Sequence, residues 1–428
     1  MNVKKHLAEL KSSSLARNAG WMFLGQASGL VFQGVYFVVL TRLLGVKEYG
    51  VYVGTFALVS LAAQYSTIGS GTVFLRYVSA DRSKFATYWG NILVLVCGVG
   101  LVVALVLKVV AHYILGPQSA AIIFPAALSV CFCTQIAVCA GTVFQAFEQF
   151  RVTAAMNVIM NVLRALTAVG LLFFLHRASA MQWAVISLAI TGVGALLAVG
   201  TVTVRLGWPK FDPSLLKKHF AEGLQYSFST STSSAYNDID KTMLSHYRMN
   251  VANGIYSSAY RVIEVATIPI FAVRDAAMPR LFVKGASGIE PAAALARSLR
   301  KRAMLLGILA AVTIFVVAPL VPYVLGKDYA ETVKALRWLC LIPFFRSVHQ
   351  MTGSALTGAG QQKFRTIAQC IAAAVNFLLN LWLIPKYNWW GAAWASLITD
   401  AGLGATNTFM LSLAVRIERR KLSGGNSR

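Results

Sequence analysis

The stretch Gln225-Tyr-Ser-Phe-Ser-Thr-Ser-Thr-Ser-Ser-Ala-Tyr-Asn-Asp-Ile-Asp-Lys241, with Asn253-Gly-Ile-Tyr256, Tyr260-Arg-Val-Ile-Glu264 and Met278-Pro-Arg-Leu281 behind it, decides how the chain is read. Its pattern predicts a polar helix, a tight turn through residues 253–256 and a second helix with charges along its length. Lipid tails offer no partner to hydroxyls or charges, so such groups at membrane depth face protein or a water-filled cavity.

Outward from that stretch, apolar runs of about twenty residues recur to both ends, each long enough to cross a bilayer as a helix. The chain is 57% hydrophobic and only 13% charged over 428 residues. Twelve spans are predicted, at approximately 17–40, 50–75, 86–110, 119–146, 153–175, 181–204, 222–246, 251–275, 303–326, 332–358, 365–385 and 390–415. The ten-residue alternating strands of a barrel would interrupt such runs. The reading is an all-α integral membrane protein.

A net charge of +24 would point to nucleic acid in a soluble chain. Here the sidedness of Lys and Arg explains it: with the N-terminus inside, about 26 fall in cytoplasmic segments against about 10 opposite, as the positive-inside rule requires. Both termini are therefore expected in the cytoplasm, and no nucleic-acid partner is expected. Some of these cations also suit anionic membrane lipids. The first apolar run follows a basic arm, is too long for a signal-peptide core and is expected to stay in the mature protein. All six cysteines lie in apolar runs without metal-ligand spacing, which leaves packing as their expected role.

Two internal echoes divide the chain. Tyr49-Gly-Val-Tyr52 reappears as Asn253-Gly-Ile-Tyr256, 204 residues on (254 − 50). Gly141 to Arg151 reappears as Gly353 to Arg365, with Phe150 matching Phe364, 214 residues on (364 − 150). Six spans per half is an even number, so the halves share orientation and are related by a pseudo-twofold axis along the membrane normal. The expected organisation is a cytoplasmic arm (1–16), an N-lobe (17–204), a cytoplasmic linker (205–221), a C-lobe (222–415) and a cytoplasmic tail (416–428). Residues 292–302 are expected as an amphipathic helix on the cytoplasmic surface.

The polar residues within spans are the candidate site. Gln26 and Gln33 share a face of span 1. Asn157, Asn161 and Arg164 form one stripe of span 5, and Gln225, Ser229, Thr232, Tyr236 and Asp240 form another on span 7, with Asp238 pointing elsewhere. Arg164, Arg261 and Arg346 sit near the middle of spans, where facing lipid costs roughly 2.5–3.5 kcal/mol, so each needs a partner, water or an anionic ligand. Arg261 can pair with Glu264 on its own helix, and Asp400 can answer Arg164 or Arg346 across the bundle. With Lys241 these cations favour an anionic ligand such as a lipid pyrophosphate, while the amide and hydroxyl lining suits sugar hydroxyls. The prolines at 125, 269, 319, 322 and 343 interrupt the helical ladder. No phosphate loop, His-Glu-x-x-His or Gly-x-Ser-x-Gly occurs, so neither an ATPase motor nor catalysis is expected, and no cofactor or metal.

These residues resemble a known family. Arg42-Leu-Leu-Gly-x-x-Glu-Tyr-Gly-x-Tyr52, Asp240-Lys241, Gly254-Ile-Tyr-Ser-Ser-Ala-Tyr-Arg261 and Met278-Pro-Arg-Leu281 look like the Wzx-type polysaccharide and O-antigen flippases of the multidrug/oligosaccharidyl-lipid/polysaccharide (MOP) exporter superfamily. Arg261-x-x-Glu264 and Pro279-Arg-Leu also look like the corresponding helix of lipid II flippases, which usually have two further helices. The resemblance implies two six-helix lobes in a MATE-like V, with spans 1, 2, 7 and 8 around a central cavity. It implies alternating access that carries an undecaprenyl-diphosphate-linked oligosaccharide from the cytoplasmic to the periplasmic leaflet of the inner membrane. A polysaccharide polymerase and chain-length proteins are the partners it implies. The resemblance carries over Arg261 as a substrate-binding cation, while Arg164, Arg346 and Lys241 join it on the membrane-depth argument alone, and Asp240, Glu264 and Asp400 are expected sites for coupling to a proton or sodium gradient. Two alternatives stay open: a MATE-like ion-coupled drug antiporter, whose N-lobe pocket would be acidic, and a membrane-embedded glycosyltransferase or polymerase using Asp238-Ile-Asp240 to hold a metal.

Overall fold

The computed structural model describes residues 14–425, and the side chains of 14–27, 229, 232–236 and 421–425 lie outside that description. Among the described residues the chain is helical almost throughout, without strands. The twelve predicted spans fall largely on helical chain, with 50–75 broken at Ile68 (φ 46°) and Gly69 (φ 60°) between two helices. Seven helices are long and apolar enough to cross a membrane by length and composition alone.

Contacts divide the chain into two compact units, 1–234 and 235–428. In the first unit, α1 (Ser14–Ser66) reverses at Gly45, whose φ of 69° and ψ of 170° break the helix into two crossings. α2 (Ser70–Ala80), α3 (Phe85–Ile114), α4 (Pro117–Ala121) and α5 (Ile123–Ala127) follow, then a π-helical run Leu128–Thr134 that leads into α6 (Gln135–Ala146). Pro125 lies three residues ahead of that run; its missing N–H loosens the local ladder, which the wider π turn accommodates. α7 (Phe150–Leu175) and α8 (Ala180–Leu206) complete the six crossings. A core of Phe74, Trp89, Ile92, Val143 and Phe144 closes one end of this unit, and Val59, Ala104, Ile123 and Ala127 belong to a second core.

α9 (Pro213–His246) begins in the first unit and ends in the second, because the boundary between the units falls between Ser234 and Ala235. The stretch 213–221, expected in a connection, is already helical. α10 (Asn250–Ala286), α11 (Ile289–Val317), α12 (Val321–Leu325), α13 (Thr332–Leu339), α14 (Ile342–Gly358), α15 (Gln362–Tyr387) and α16 (Trp389–Gly425) build the second unit. Residues 292–302 are not a separate surface helix. They continue into the following span as α11, because Ile289, Ala293 and Ala296 bury against Leu281, Ala355 and Leu356.

Two sequence readings of turns need correction. The chain reverses at Arg248 (φ 59°), and Asn253-Gly-Ile-Tyr256 lies buried inside α10. Asn253 spends its side chain on the Lys241 carbonyl, donating from Nδ2 at 2.9 Å, instead of shaping a turn. The second echo is real in three dimensions but its register differs by two residues. α6 and α14 end in the same left-handed cap, with Glu148 (φ 59°) and Gly360 (φ 71°) as the reversing residues. The Gln149 N–H donates to Phe144 O and the Gln361 N–H to Leu356 O, both at 2.8 Å, closing the six-residue loop of a Schellman motif. These caps stand 212 residues apart (360 − 148), so Phe150 matches Gln362, the first residue of α15.

Candidate functional site

The stripe predicted on span 5 lines a cavity in the first unit. Asn157, Asn161 and Arg164 from α7 meet Gln33 from α1, Thr134 just ahead of α6, and Thr191 and Thr201 from α8, around about 720 Å³. The spacing i, i+4, i+7 puts the three α7 side chains on one face, and a Cβ on Gly29 would meet Asn161 Nδ2 at 3.2 Å, so α1 is trimmed where that amide lies. The described lining contains one cation and no acid. Among the described residues Arg164 makes no hydrogen bond or ion pair; Tyr36 is the group that feels its charge.

The second unit treats its charges differently. Lys241 at the end of α9 donates from Nζ to Asp238 Oδ1 at 2.6 Å. Asp240, 2% exposed, accepts from the Tyr256 hydroxyl and from the backbone N–H of Lys241 at 2.7 Å, with Ser396 of α16 beside both. Arg346 of α14 is buried, donates from Nη2 to the Tyr260 hydroxyl at 2.7 Å and lies 3.8 Å from Asp400. His349 stands 3.4 Å from the same carboxylate. The Tyr260 ring carries Lys241 Nζ and the Arg346 guanidinium carbon each 5.2 Å from its centroid, a cation–π arrangement that favours both charges. Ions removed from water demand this density of partners.

The predicted site residues thus separate into groups. Gln33, Asn157, Asn161 and Arg164 come together in one cavity. Lys241, Asp240, Arg346 and Asp400 come together in a buried network instead of standing exposed to an open space, and Asp238, read as lying off the span 7 stripe, accepts from Lys241. Arg261 pairs with Glu264 at 2.9 Å, the two side chains 40% and 35% exposed. Gln225 is exposed on α9. Gln26, Ser229, Thr232 and Tyr236 lie outside the described side chains. Sequence reasoning gave no site role to Thr134, Thr191 and Thr201, whose hydroxyls carry no periodic signal, nor to Tyr256 and Tyr260, four apart on one helix face, nor to His349, three residues beyond Arg346.

Several residues that carry the family resemblance act as staples. Glu48 Oε2 accepts from the Ala180 N–H at 2.8 Å at the start of α8, and Leu43 O accepts from the Ala178 N–H at 2.9 Å. Leu281 is fully buried against Ala355 and Leu356. The cysteines form no disulfide among the described residues.

This helical architecture is that of the MOP-superfamily transporters. The lipid II flippase MurJ in an inward closed conformation superposes with a TM-score of 0.70 at 14% identity, over 93% of this chain and 87% of MurJ. An inward-facing multidrug resistance MATE transporter of the MOP superfamily gives 0.66 at 14% identity, over 92% and 95% of the two chains. A MOP-superfamily transporter from Pyrococcus furiosus, described as having a binding pocket of reverse polarity, gives 0.61 at 14%, over 97% and 96%. A search of curated protein sequences finds no match. The chain belongs to the polysaccharide biosynthesis protein family, which it matches over residues 15–283. It is a multi-pass membrane protein of that family.

Proposed function

We propose that the protein is a flippase for undecaprenyl-diphosphate-linked oligosaccharide, moving the repeat unit from the cytoplasmic to the periplasmic leaflet by alternating access for surface polysaccharide synthesis. One observation carries this reading: the cavity of the first unit offers a guanidinium, two asparagine amides and a glutamine, with no carboxylate in its described lining. A guanidinium without a protein acid favours a phosphate-bearing ligand, and amides and hydroxyls offer exchangeable hydrogen bonds to a sugar. A cation-exporting antiporter would want the opposite charge there.

The buried network around Asp240 and Asp400 is the proposed seat of gradient coupling, since ionisable groups at membrane depth need a functional reason to persist. Arg261, half-exposed beside Glu264, is a second proposed contact for the anionic group. A glycosyltransferase role for Asp238 and Asp240 has less support, because these carboxylates are engaged by Lys241 and Tyr256. The test is export of surface polysaccharide in a deletion strain complemented with Arg164→Ala at matched protein level. Export is expected to fall at least about tenfold, equivalent to losing one charge-assisted contact. Full export by that variant would refute the assignment.

A further inference from the structure

The two matched caps frame a difference between the units. Twelve residues beyond Gly141 (153 − 141) stands Thr153, which is 2% exposed and satisfies itself by donating from Oγ1 to Gly141 O at 3.1 Å. Twelve residues beyond Gly353 (365 − 353) the same position is Arg365. Its side chain lies along Gly353, where an added Cβ would meet Arg365 Nε at 3.2 Å and Asn407 Nδ2 at 3.4 Å. A guanidinium therefore occupies the place where the repeat has a self-satisfied hydroxyl, and a missing side chain on α14 makes the room.

We infer that Arg365 of α15 and Arg274 of α10 form an anion site in the second unit that takes the phosphate of a lipid headgroup. The polar inventory supports it. Arg365 makes one hydrogen bond among the described residues, from Nη1 to Thr357 Oγ1 at 2.8 Å, and no ion pair. The like charge of the Arg274 guanidinium acts on it. Arg274 is itself held open by Gln350, to whose Oε1 its Nη1 donates at 3.1 Å, and its Nε donates to Asp275 Oδ1 at 2.8 Å. Asp275 is 64% exposed and takes only that edge of the fork. Asn407 beside Arg365 donates from Nδ2 to the His349 carbonyl at 3.2 Å, and its Oδ1, buried without a partner, is an acceptor, so the two guanidinium groups alone would hold the anion.

Two like charges, each partly buried, repel and lose hydration, and a bound oxyanion offsets the repulsion and supplies hydrogen-bond partners in place of the lost water. The place suits a headgroup: Arg365 is the fourth residue of α15, at the end of a span where bilayer phosphates lie. Bilayer phospholipid and polyprenyl diphosphate present the same oxyanion chemistry there.

The inference goes beyond the cavity around Arg164 and is tested separately from it. Purified full-length protein in phosphatidylcholine nanodiscs is titrated with inorganic pyrophosphate, as wild type, Arg164→Ala, Arg365→Thr and the double variant. Arg365→Thr installs the residue of the repeat, whose hydroxyl can bond to Gly353 O as Thr153 does to Gly141 O; Arg274→Gln serves if that variant fails to fold. The expected result is that Arg164→Ala retains a salt-sensitive pyrophosphate site and that adding Arg365→Thr weakens it at least tenfold. Displacement of pyrophosphate by phosphatidylglycerol identifies bilayer lipid as the occupant, and displacement by undecaprenyl diphosphate alone identifies the cargo. Either supports the site. If Arg164→Ala removes all binding, or if neither lipid displaces pyrophosphate from the Arg164→Ala protein, the site is refuted while the cavity reading stands. If Arg164→Ala changes nothing and Arg365→Thr abolishes binding, the site stands and the cavity reading loses its support.

Discussion

The two units use their membrane-depth charges in opposite ways. In the first, Arg164 faces a cavity with amides for company and no described acid. In the second, Lys241, Arg346, Asp238, Asp240 and Asp400 are closed on one another through Tyr256 and Tyr260. A charge satisfied by its neighbours contributes to the integrity of the bundle, and one left to water or ligand contributes to binding. The same residue types at the same depth therefore carry different work, and composition alone does not separate them.

The comparison is most exposed to substitutions that should affect one unit's stability and the other's transport. Asp400→Ala leaves Arg346 buried without its carboxylate and is expected to cost about 3–5 kcal/mol, read as a lower melting temperature in detergent. Arg164→Ala should change stability by less than about 0.5 kcal/mol yet lower export at least about tenfold. If both variants melt alike, the contrast between the units fails. Replacing Arg346 and Asp400 together by Met and Leu sharpens it: apolar replacement of a whole buried pair is often neutral, so the double variant should recover most of the stability lost by Asp400→Ala. Failure to recover would show that His349 and Tyr260, not the ion pair, set the cost.

How much of this was legible depends on the kind of signal. The twelve crossings follow from hydropathy, because a bilayer demands about twenty apolar residues per helix whatever the neighbours do. The Asn157, Asn161 and Arg164 stripe follows from 3.6-residue periodicity and appears intact around one cavity. Partner choice across helices has no such period. Asp400 could have answered Arg164 or Arg346, and only the packing of α14 against α16 decides for Arg346. Turn composition also misled: Asn253-Gly254 has turn residues but sits in a helix, since a buried asparagine gains more by satisfying the Lys241 carbonyl. The two-residue error in the second echo has a similar origin. Aligning Phe150 with Phe364 ignored that helix caps, not aromatic residues, fix where each helix restarts.

Smaller effects probe the margins. Arg261→Ala removes a half-exposed pair and should cost about 0.2–1 kcal/mol in stability, with a several-fold drop in export if the proposed contact with the anionic group holds. Unchanged export would confine Arg261 to its pairing with Glu264. The smallest expected effect lies outside the spans, where Asp212 accepts from the N–H and hydroxyl of Ser214 at 2.9 and 2.7 Å at the start of α9. The Ser214 hydroxyl, then its N–H, hold that carboxyl below its ordinary value of 3.8. A depressed folded-state pKa contributes stability above the unfolded value and loses it as pH falls through the folded one, so Asp212→Asn should flatten the melting profile slightly between about pH 5 and pH 3.

The most direct measurement is movement of a fluorescent undecaprenyl-diphosphate-linked saccharide across liposomes holding purified protein, wild type against Arg164→Ala. The account predicts rapid transfer by wild type and at least a tenfold slower rate in the variant with an unchanged melting temperature. Equal rates, or transfer of an organic cation in place of the diphosphate lipid, would contradict it.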